Sequence, residues 1–227
     1  MMQSEHKRRA YLRAMGIDLW IPRDQADVEP GSAEAEVQSG TGGYDWDELR
    51  SAVATCTRCP LHSSRTQTVF GVGSPVADWM IIGEAPGAEE DRRGEPFVGR
   101  AGKLLDEMLL AIGEKRESVF IANILKCRPP NNRDPSPVEA ASCRPYLERQ
   151  IELVQPKIIL AVGRIAAQQL LQSDAPVGRL RGTVHQLGAI PLVVTYHPAY
   201  LLRSPSQKRK SWGDLCLAAG VMAGAAA

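Results

Sequence analysis

Residues 79–87 read WMIIGEAPG, an apolar run that ends at Gly83 and opens into a short loop. A continuous apolar run bounded by glycine predicts a buried strand with a loop at its carboxyl end. The same reasoning along the chain predicts further strands and helices. The strands are residues 119–125, 157–162 and 192–195, and the helices are residues 46–55, 101–112, 136–154 and 165–172.

The alternation of strands and helices predicts a parallel sheet with helices on both faces. We therefore expect an α/β fold, a three-layer α/β/α sandwich whose central sheet has four mostly parallel strands. In such sheets the functional loops lie beyond the carboxyl ends of the strands. The loop after Gly83 is the first of these positions.

Composition narrows the class of protein without identifying a substrate. The 227 residues suffice for one well-buried domain with an appendage. With 27 basic and 26 acidic residues, the net charge of +1 gives no overall attraction to nucleic acid. The polar start and the lack of a long apolar run predict a cytoplasmic protein with no membrane partner. We also expect a monomer.

The chain divides into four predicted segments. Residues 1–22 form a short amphipathic peptide, with apolar side chains at near-helical spacing from Tyr11 to Leu19. Residues 23–43 lack aromatic side chains and predict a disordered linker, because they cannot bury enough surface to offset the entropy of ordering. The main domain covers residues 44–222, and residues 223–227 form a flexible tail.

Four cysteines form two distant pairs. Two residues separate Cys56 from Cys59, whereas 15 residues separate Cys127 from Cys143. A zinc ribbon has a second tight pair downstream, and a cubane cluster accepts thiolates at separated corners. Spacing alone leaves an iron–sulfur cluster, a zinc ion and coincidence open. Cys216, on a predicted C-terminal helix, is expected to be a small buried hydrophobic residue.

Four short motifs lie in order along the chain. The first follows the first predicted strand, the second comes after it, the third ends the second strand, and the fourth follows the last strand. They read GEAPGAEED at residues 83–91, EPFVGRAG at 95–102, NILKCRPP at 123–130 and HPAYLLR at 197–203. With the four cysteines, they resemble the signature of the family 4 uracil-DNA glycosylases over about residues 50–217. The resemblance implies the uracil-DNA glycosylase fold and a DNA repair enzyme. Such an enzyme flips uracil out of DNA, hydrolyses its N-glycosidic bond and leaves an abasic site. The resemblance also implies a 4Fe–4S cluster bound by Cys56, Cys59, Cys127 and Cys143.

The same resemblance implies the roles of the pocket residues. The target nucleotide must leave the base stack and enter a pocket. Phe97 would stack on the base, and Asn123 would pair with uracil O4 and N3–H, where cytosine has the opposite donor pattern. His197 would donate a hydrogen bond to O2 as uracil leaves as an anion. Small residues and free backbone N–H groups would line the pocket at Gly83, Glu84 and Ala85.

The first motif departs from the best-studied uracil glycosylases at the residue that orients water. Those enzymes have an aspartate where this chain has Ala85. Glu84 is the nearest carboxylate, and we expect it to position the water. The acidic run at residues 89–91 has the composition of a solvated surface.

DNA contacts are expected from the motif loops. Arg100 and Lys103 open a predicted helix, where free N–H groups and basic side chains favour a phosphate. Leu201 and Leu202 are expected to wedge into the space that the base leaves. Arg203 would bind a backbone phosphate, which makes binding salt-sensitive. The GRAGK sequence at residues 99–103 lacks the spacing of a nucleotide-binding P-loop.

The amino-terminal peptide suggests an alternative function. Residues 11–20 resemble the N-terminal peptide of the psi subunit of bacterial clamp loaders. Residues 8–22 would then bind clamp-loader or other replisome proteins, and the alternative is a replisome binding subunit with a glycosylase-like fold. The set of Phe97, Asn123 and His197 favours the enzyme, because a binding subunit has no need of a base pocket.

Overall fold

The computed structural model describes residues 41–224. The predicted peptide at residues 1–22, with its replisome contact at 8–22, lies outside this range, as do most of the predicted linker and the last three residues. These expectations therefore stay predictions. None of the helices in the described part of the chain is long and apolar enough to cross a membrane.

A six-stranded sheet in the order β1-β3-β2-β4-β6-β5 forms the middle layer. Its central strands β3, β2, β4 and β6 are parallel, which confirms the expected four-stranded core. One antiparallel strand extends the sheet at each edge. The strands are β1 (Val72–Gly73), β2 (Trp79–Gly83), β3 (Phe120–Asn123), β4 (Ile158–Val162), β5 (Val184–Leu187) and β6 (Ile190–Thr195).

Helices cover both faces of this sheet. Two of them begin where the sequence supplies a side-chain cap: Asp45 caps the first helix, and Ser136 with Glu139 forms a capping box at the fourth. The α-helices are α1 (Trp46–Ala54), α2 (Ala88–Arg93), α3 (Arg100–Leu110), α4 (Pro137–Val154), α5 (Arg164–Leu171), α6 (Val177–Leu180), α7 (Pro198–Arg203) and α8 (Lys208–Met222).

The alternation of side chains along β2 shows why three layers form. Met80 and Ile82 pack into a core with α1, α4 and α5 on one face. Trp79 and Ile81 pack into a second core with α3, α7 and α8 on the other. Because successive side chains of a strand point to opposite faces, a fully apolar strand requires cover on both sides. Burial of each such side chain contributes roughly 1.5–3 kcal/mol.

Strand register brings the motif loops to one edge of the sheet. Gly83 pairs with Asn123, and Val162 pairs with Thr195, so the central strands end at the same level. The loops that follow β2, β3, β4 and β6 therefore meet.

The prediction for Cys216 was wrong: it is exposed on α8. The buried face of that helix is taken by Leu215 and Ala218.

Candidate active site

A cavity of about 790 Å³ opens at the carboxyl ends of the parallel strands. Its volume lies within the ~300–1,000 Å³ that is typical of small-molecule sites. The structure brings together the residues predicted to form a base pocket. Five of the six predicted pocket residues line the cavity, namely Glu84, Ala85, Phe97, Asn123 and His197; Gly83 does not, whereas Arg203, a predicted DNA contact, does.

Asn123 is the last residue of β3, and its side chain is buried. Gly83 lies directly beside it: a Cβ added to Gly83 would be 2.4 Å from Asn123 Oδ1 and 2.6 Å from Phe97 Cζ. Glycine is therefore required for the amide and the aromatic ring to share this space. The backbone carbonyl of Asn123 accepts a hydrogen bond from the buried Lys126 Nζ at 2.9 Å. Gln150 Oε1 accepts a second bond from the same amine at 2.6 Å.

Phe97 has an unusual backbone. Its φ of 54° lies in the left-handed region, which is an outlier for a bulky side chain. The side chain is buried, and its ring stacks on the His197 imidazole with centroids 5.5 Å apart and an interplanar angle of 27°. Non-glycine residues persist in this conformation only where the surrounding structure holds them.

Glu90 joins the first two motif loops. Its Oε1 accepts from Val98 N–H at 3.1 Å, and its Oε2 accepts from Gly87 N–H at 3.1 Å. Asp91 next to it is buried and accepts from Thr66 N–H at 2.9 Å. The expectation of a solvated acidic run was therefore wrong for these two residues. A carboxylate that accepts backbone N–H groups acts as a fixed link between loops.

His197 is held as a neutral donor. It caps α7, and its Nδ1 accepts a hydrogen bond from Ala199 N–H at 3.1 Å. An accepting Nδ1 leaves the proton on Nε2. Burial lowers the pKa of His197 to about 4; the positive charge of Arg203 lowers it further, and Glu90 opposes the shift. A Cβ added to Gly163 would be 3.0 Å from His197 Cβ, so the end of β4 closely supports the imidazole.

Glu84 lines the cavity and is half-buried. Burial raises the pKa of its carboxyl group, and the negative charge of Asp134 adds to this. Arg164 opposes the shift. Arg164 Nη2 also lies 2.5 Å from Asp134 Oδ2, so a charged pair accompanies Glu84 at this part of the site.

The basic side chains predicted to contact DNA lie on two helices, α7 and α3. Arg203 is exposed and lines the cavity, whereas Arg100 and Lys103 are exposed on the first turn of α3. Leu202 is half-buried. The prediction that Leu201 is a wedge was wrong, because its side chain is only 1% exposed and packs in the core beneath α7.

Other residues of the cavity were not predicted from the sequence. Arg164 follows Gly163 at the end of β4, a position that the rule of strand ends would have selected. Tyr196 and Tyr200 also line the cavity, with ring centroids 5.0 Å apart. Tyr196 directly precedes the HPAYLLR motif and Tyr200 lies within it, which was the available signal.

The predicted cysteine ligands lie away from this cavity. Cys59, Cys127 and Cys143 are buried in one cluster with Leu61 and Leu125, and Cys56 is half-buried just after α1. None of the four lines the cavity. Within residues 41–224, no three His, Cys, Asp or Glu side chains converge on the position of a single metal ion.

Burial controls the protonation of these thiols. It raises the pKa of Cys59 and Cys127, and that of Cys143 to about 12. Arg65 Nη1 lies 3.1 Å from Cys127 Sγ and donates to it, which opposes the rise. The negative charges of Cys59 and Cys127 each act on Cys143, so the thiols are close enough to interact electrostatically. A guanidinium donor favours the thiolate form of a neighbouring cysteine, and the thiolate is the form that binds metals.

Comparison with known proteins identifies the family. The family model described as "Uracil DNA glycosylase superfamily" matches residues 70–218. The chain is 42% identical over 184 residues to the type-4 uracil-DNA glycosylase of Archaeoglobus fulgidus, covering 75% of this chain and 92% of that one. It is 45% identical over 171 residues to the type-4 uracil-DNA glycosylase of Thermotoga maritima, covering 73% and 89%.

A more distant relative shows how specific this likeness is. The type-5 uracil-DNA glycosylase of Pyrobaculum aerophilum is 28% identical over 200 residues, covering 74% of this chain and 87% of that one. The two type-4 proteins are 42% and 45% identical to this chain, against 28% for the type-5 protein, over a similar share of its length. The chain therefore belongs to the uracil-DNA glycosylase superfamily, and within it to the type-4 uracil-DNA glycosylases.

Proposed function

We propose that this chain is a DNA repair glycosylase that binds uracil in the cavity and hydrolyses its N-glycosidic bond, leaving an abasic site in DNA. The observation that carries the proposal is the neutral His197 with its proton on Nε2, in contact with Phe97 in the cavity that Asn123 also lines. The cavity is wide enough for a base rotated out of the stack.

Asn123 reads the base. Its amide NH₂ donates to uracil O4 and its amide oxygen accepts from N3–H, whereas cytosine offers a donor and an acceptor in the reverse order. The close contact with Gly83 and the bond from Lys126 hold Asn123 in place. A buried amide that is fixed in this way rejects cytosine, because the wrong base leaves polar groups unpaired.

His197 stabilises the leaving group. As the glycosidic bond breaks, negative charge develops on uracil O2, and the Nε2–H group donates to it. A neutral donor that is already oriented requires no reorganisation during the reaction, and one such donor is worth about 3–4 kcal/mol in related oxyanion sites. Phe97 supplies the face on which uracil stacks.

Glu84 orients the attacking water, because it is the carboxylate that follows Gly83 in the first motif and it lines the cavity beside Ala85. Burial raises the pKa of its carboxyl group, which makes the carboxylate a stronger base toward that water. Glu84→Gln is expected to lower kcat with little change in KM, since the side chain would act on water and not on the bound base.

Cys56, Cys59, Cys127 and Cys143 would hold a 4Fe–4S cluster. The donor set fits such a group: it has four thiols, three of them buried together, with Arg65 donating to one sulfur. The cluster would supply structural cross-linking between the segment after α1, the loop after β3 and α4.

DNA would be held outside the cavity. Arg203 at its edge and Arg100 with Lys103 on α3 would contact phosphates, and Leu202 would fill the gap left by the flipped base. Binding would therefore weaken as salt rises.

The test is release of uracil from a uracil-containing oligonucleotide by wild type, Asn123→Ala and His197→Ala, with the visible spectrum recorded for iron–sulfur absorption. We expect abasic product from wild type and losses of at least about 100-fold in both variants. His185→Ala, on the edge strand β5, is the matched control and should retain activity. Equal activity in all four proteins would contradict the assigned pocket.

A further inference from the structure

The Phe97 ring is held in place through its backbone, and part of the support comes from outside the motif loops. The strained left-handed conformation of Phe97 requires that its peptide groups be fixed by neighbouring residues. On the N–H side, Glu90 accepts from Val98 N–H, as described above. The carbonyl side has a different partner.

That partner is Arg116, in the turn between α3 and β3. Its Nη1 donates to the Phe97 carbonyl at 3.2 Å, and its Nη2 donates to the Pro96 carbonyl. Asp106 Oδ1 on α3 accepts from Nη1 at 3.1 Å and so orients the guanidinium. The planar fork of arginine suits two successive carbonyls, which a lysine ammonium cannot match in geometry. The side chain of Arg116 is only 19% exposed.

Helix α3 also contacts the same carbonyl. A Cβ added to Gly102 would lie 1.6 Å from the Phe97 oxygen and 2.2 Å from its carbonyl carbon. The peptide of Phe97 is therefore in direct contact with the helix backbone, and only glycine permits this. The Phe97 carbonyl therefore has two neighbours, the Arg116 guanidinium that donates to it and the backbone at Gly102.

We propose that Arg116 is a positioning residue for base recognition, which acts by fixing the Phe97 peptide so that the ring faces the flipped uracil. This rests on the stacking role proposed for Phe97. Loss of Arg116 allows Phe97 to relax toward an ordinary backbone conformation, and the ring then leaves its stacking position. The lost contact is made to the bound base and not to the water, so KM rises more than kcat falls.

A double-mutant cycle tests this with steady-state uracil release by wild type, Arg116→Met, Phe97→Ala and the double variant. We expect Arg116→Met to lower kcat/KM about tenfold, in line with the effect of a misplaced binding group. In the Phe97→Ala background the same substitution should cost less than about twofold, because the group that it positions is gone. A tenfold cost in both backgrounds would overturn the proposal.

Arg149→Met is the matched control. Arg149 has the same 19% side-chain exposure, and it likewise donates to a backbone carbonyl, that of Tyr44, and pairs with a carboxylate, that of Glu152. It lies on α4 outside the cavity, so we expect unchanged kinetics. If Phe97→Ala itself retains full activity, the stacking role fails; if only the cycle is additive, the role of Arg116 alone fails.

Gly102→Ala provides a second perturbation should Arg116→Met not yield folded protein. The added methyl must displace the Phe97 carbonyl, and we expect a similar rise in KM that again disappears in the Phe97→Ala background. Gly213→Ala on α8, where a Cβ meets nothing within 4 Å, is its control. Unchanged KM in folded Gly102→Ala would overturn the proposal as well.

Discussion

The neutral state of His197 predicts a specific dependence of stability on pH. A histidine in an unfolded chain has a pKa of about 6.5, whereas burial lowers the pKa of native His197 to about 4. Between these two values only the unfolded chain binds the proton. Stability from this group is therefore fully present above pH 6.5, falls as the pH drops toward 4, and does not fall further below that.

The magnitude follows from the two pKa values. Proton linkage gives about 0.2 kcal/mol of lost unfolding free energy at pH 7 and about 2 kcal/mol at pH 5. In His197→Gln the side chain does not titrate, so this loss should be absent. The other acidic groups titrate alike in both proteins, and their effects cancel in the comparison.

The measurement is urea unfolding of wild type and His197→Gln, followed by circular dichroism at pH 7 and pH 5. We expect the fall in unfolding free energy between the two pH values to be about 2 kcal/mol larger in wild type. Parallel losses in the two proteins would refute the buried neutral imidazole and the Nε2–H donor that depends on it.

Two further predictions concern the site and the core. Gly83→Ala should lower kcat/KM by about 100-fold, because the new Cβ would lie 2.4 Å from Asn123 Oδ1; normal kinetics in the folded variant would contradict the described contact. Arg181→Met should lower the unfolding free energy by about 3 kcal/mol, because it leaves the carboxylate of Asp214, which is 0% exposed, without its ion pair. Urea unfolding at pH 7 checks this, and Arg181→Met with Asp214→Asn should recover part of the loss.

The sequence predicts the central elements well because their signals are local. The predicted helix at residues 136–154 matches α4 to within a residue, since Ser136 and Glu139 form the capping box that starts it. The predicted strand at residues 157–162 matches β4, which is apolar throughout. These signals depend only on neighbours in the chain, so no tertiary information is needed to read them.

The elements that were missed depend on tertiary pairing. β1 has only two residues, and one of them is glycine. β5 contains the polar pair His185 and Gln186, and it is a strand because it pairs with β6. α2 has no large apolar side chain. In each case the conformation is stabilised by partners distant in the sequence, so local composition alone does not predict the element.

The residues of the site likewise divide into those that the sequence predicted and those that it did not. The proposed base-pocket residues Phe97, Asn123 and His197 were selected by sequence motifs, and the structure brings them to one cavity. Arg116 was not selected, because its contact with Phe97 depends on how the turn after α3 folds back. Whether Leu201 or Leu202 faces the core depends on how a helix of only six residues is rotated about its axis, and the sequence pattern does not determine this.

Three glycines each abut one functional group: Gly83 meets the Asn123 amide, Gly102 meets the Phe97 carbonyl, and Gly163 meets the His197 side chain. At these positions an added side chain would push directly on a group of the proposed site. Substitution of these three glycines would therefore disturb the proposed site before it could change base preference gradually. Natural variation in what this enzyme accepts should instead arise at the outer wall, for example at Gly178, where a Cβ meets nothing within 4 Å.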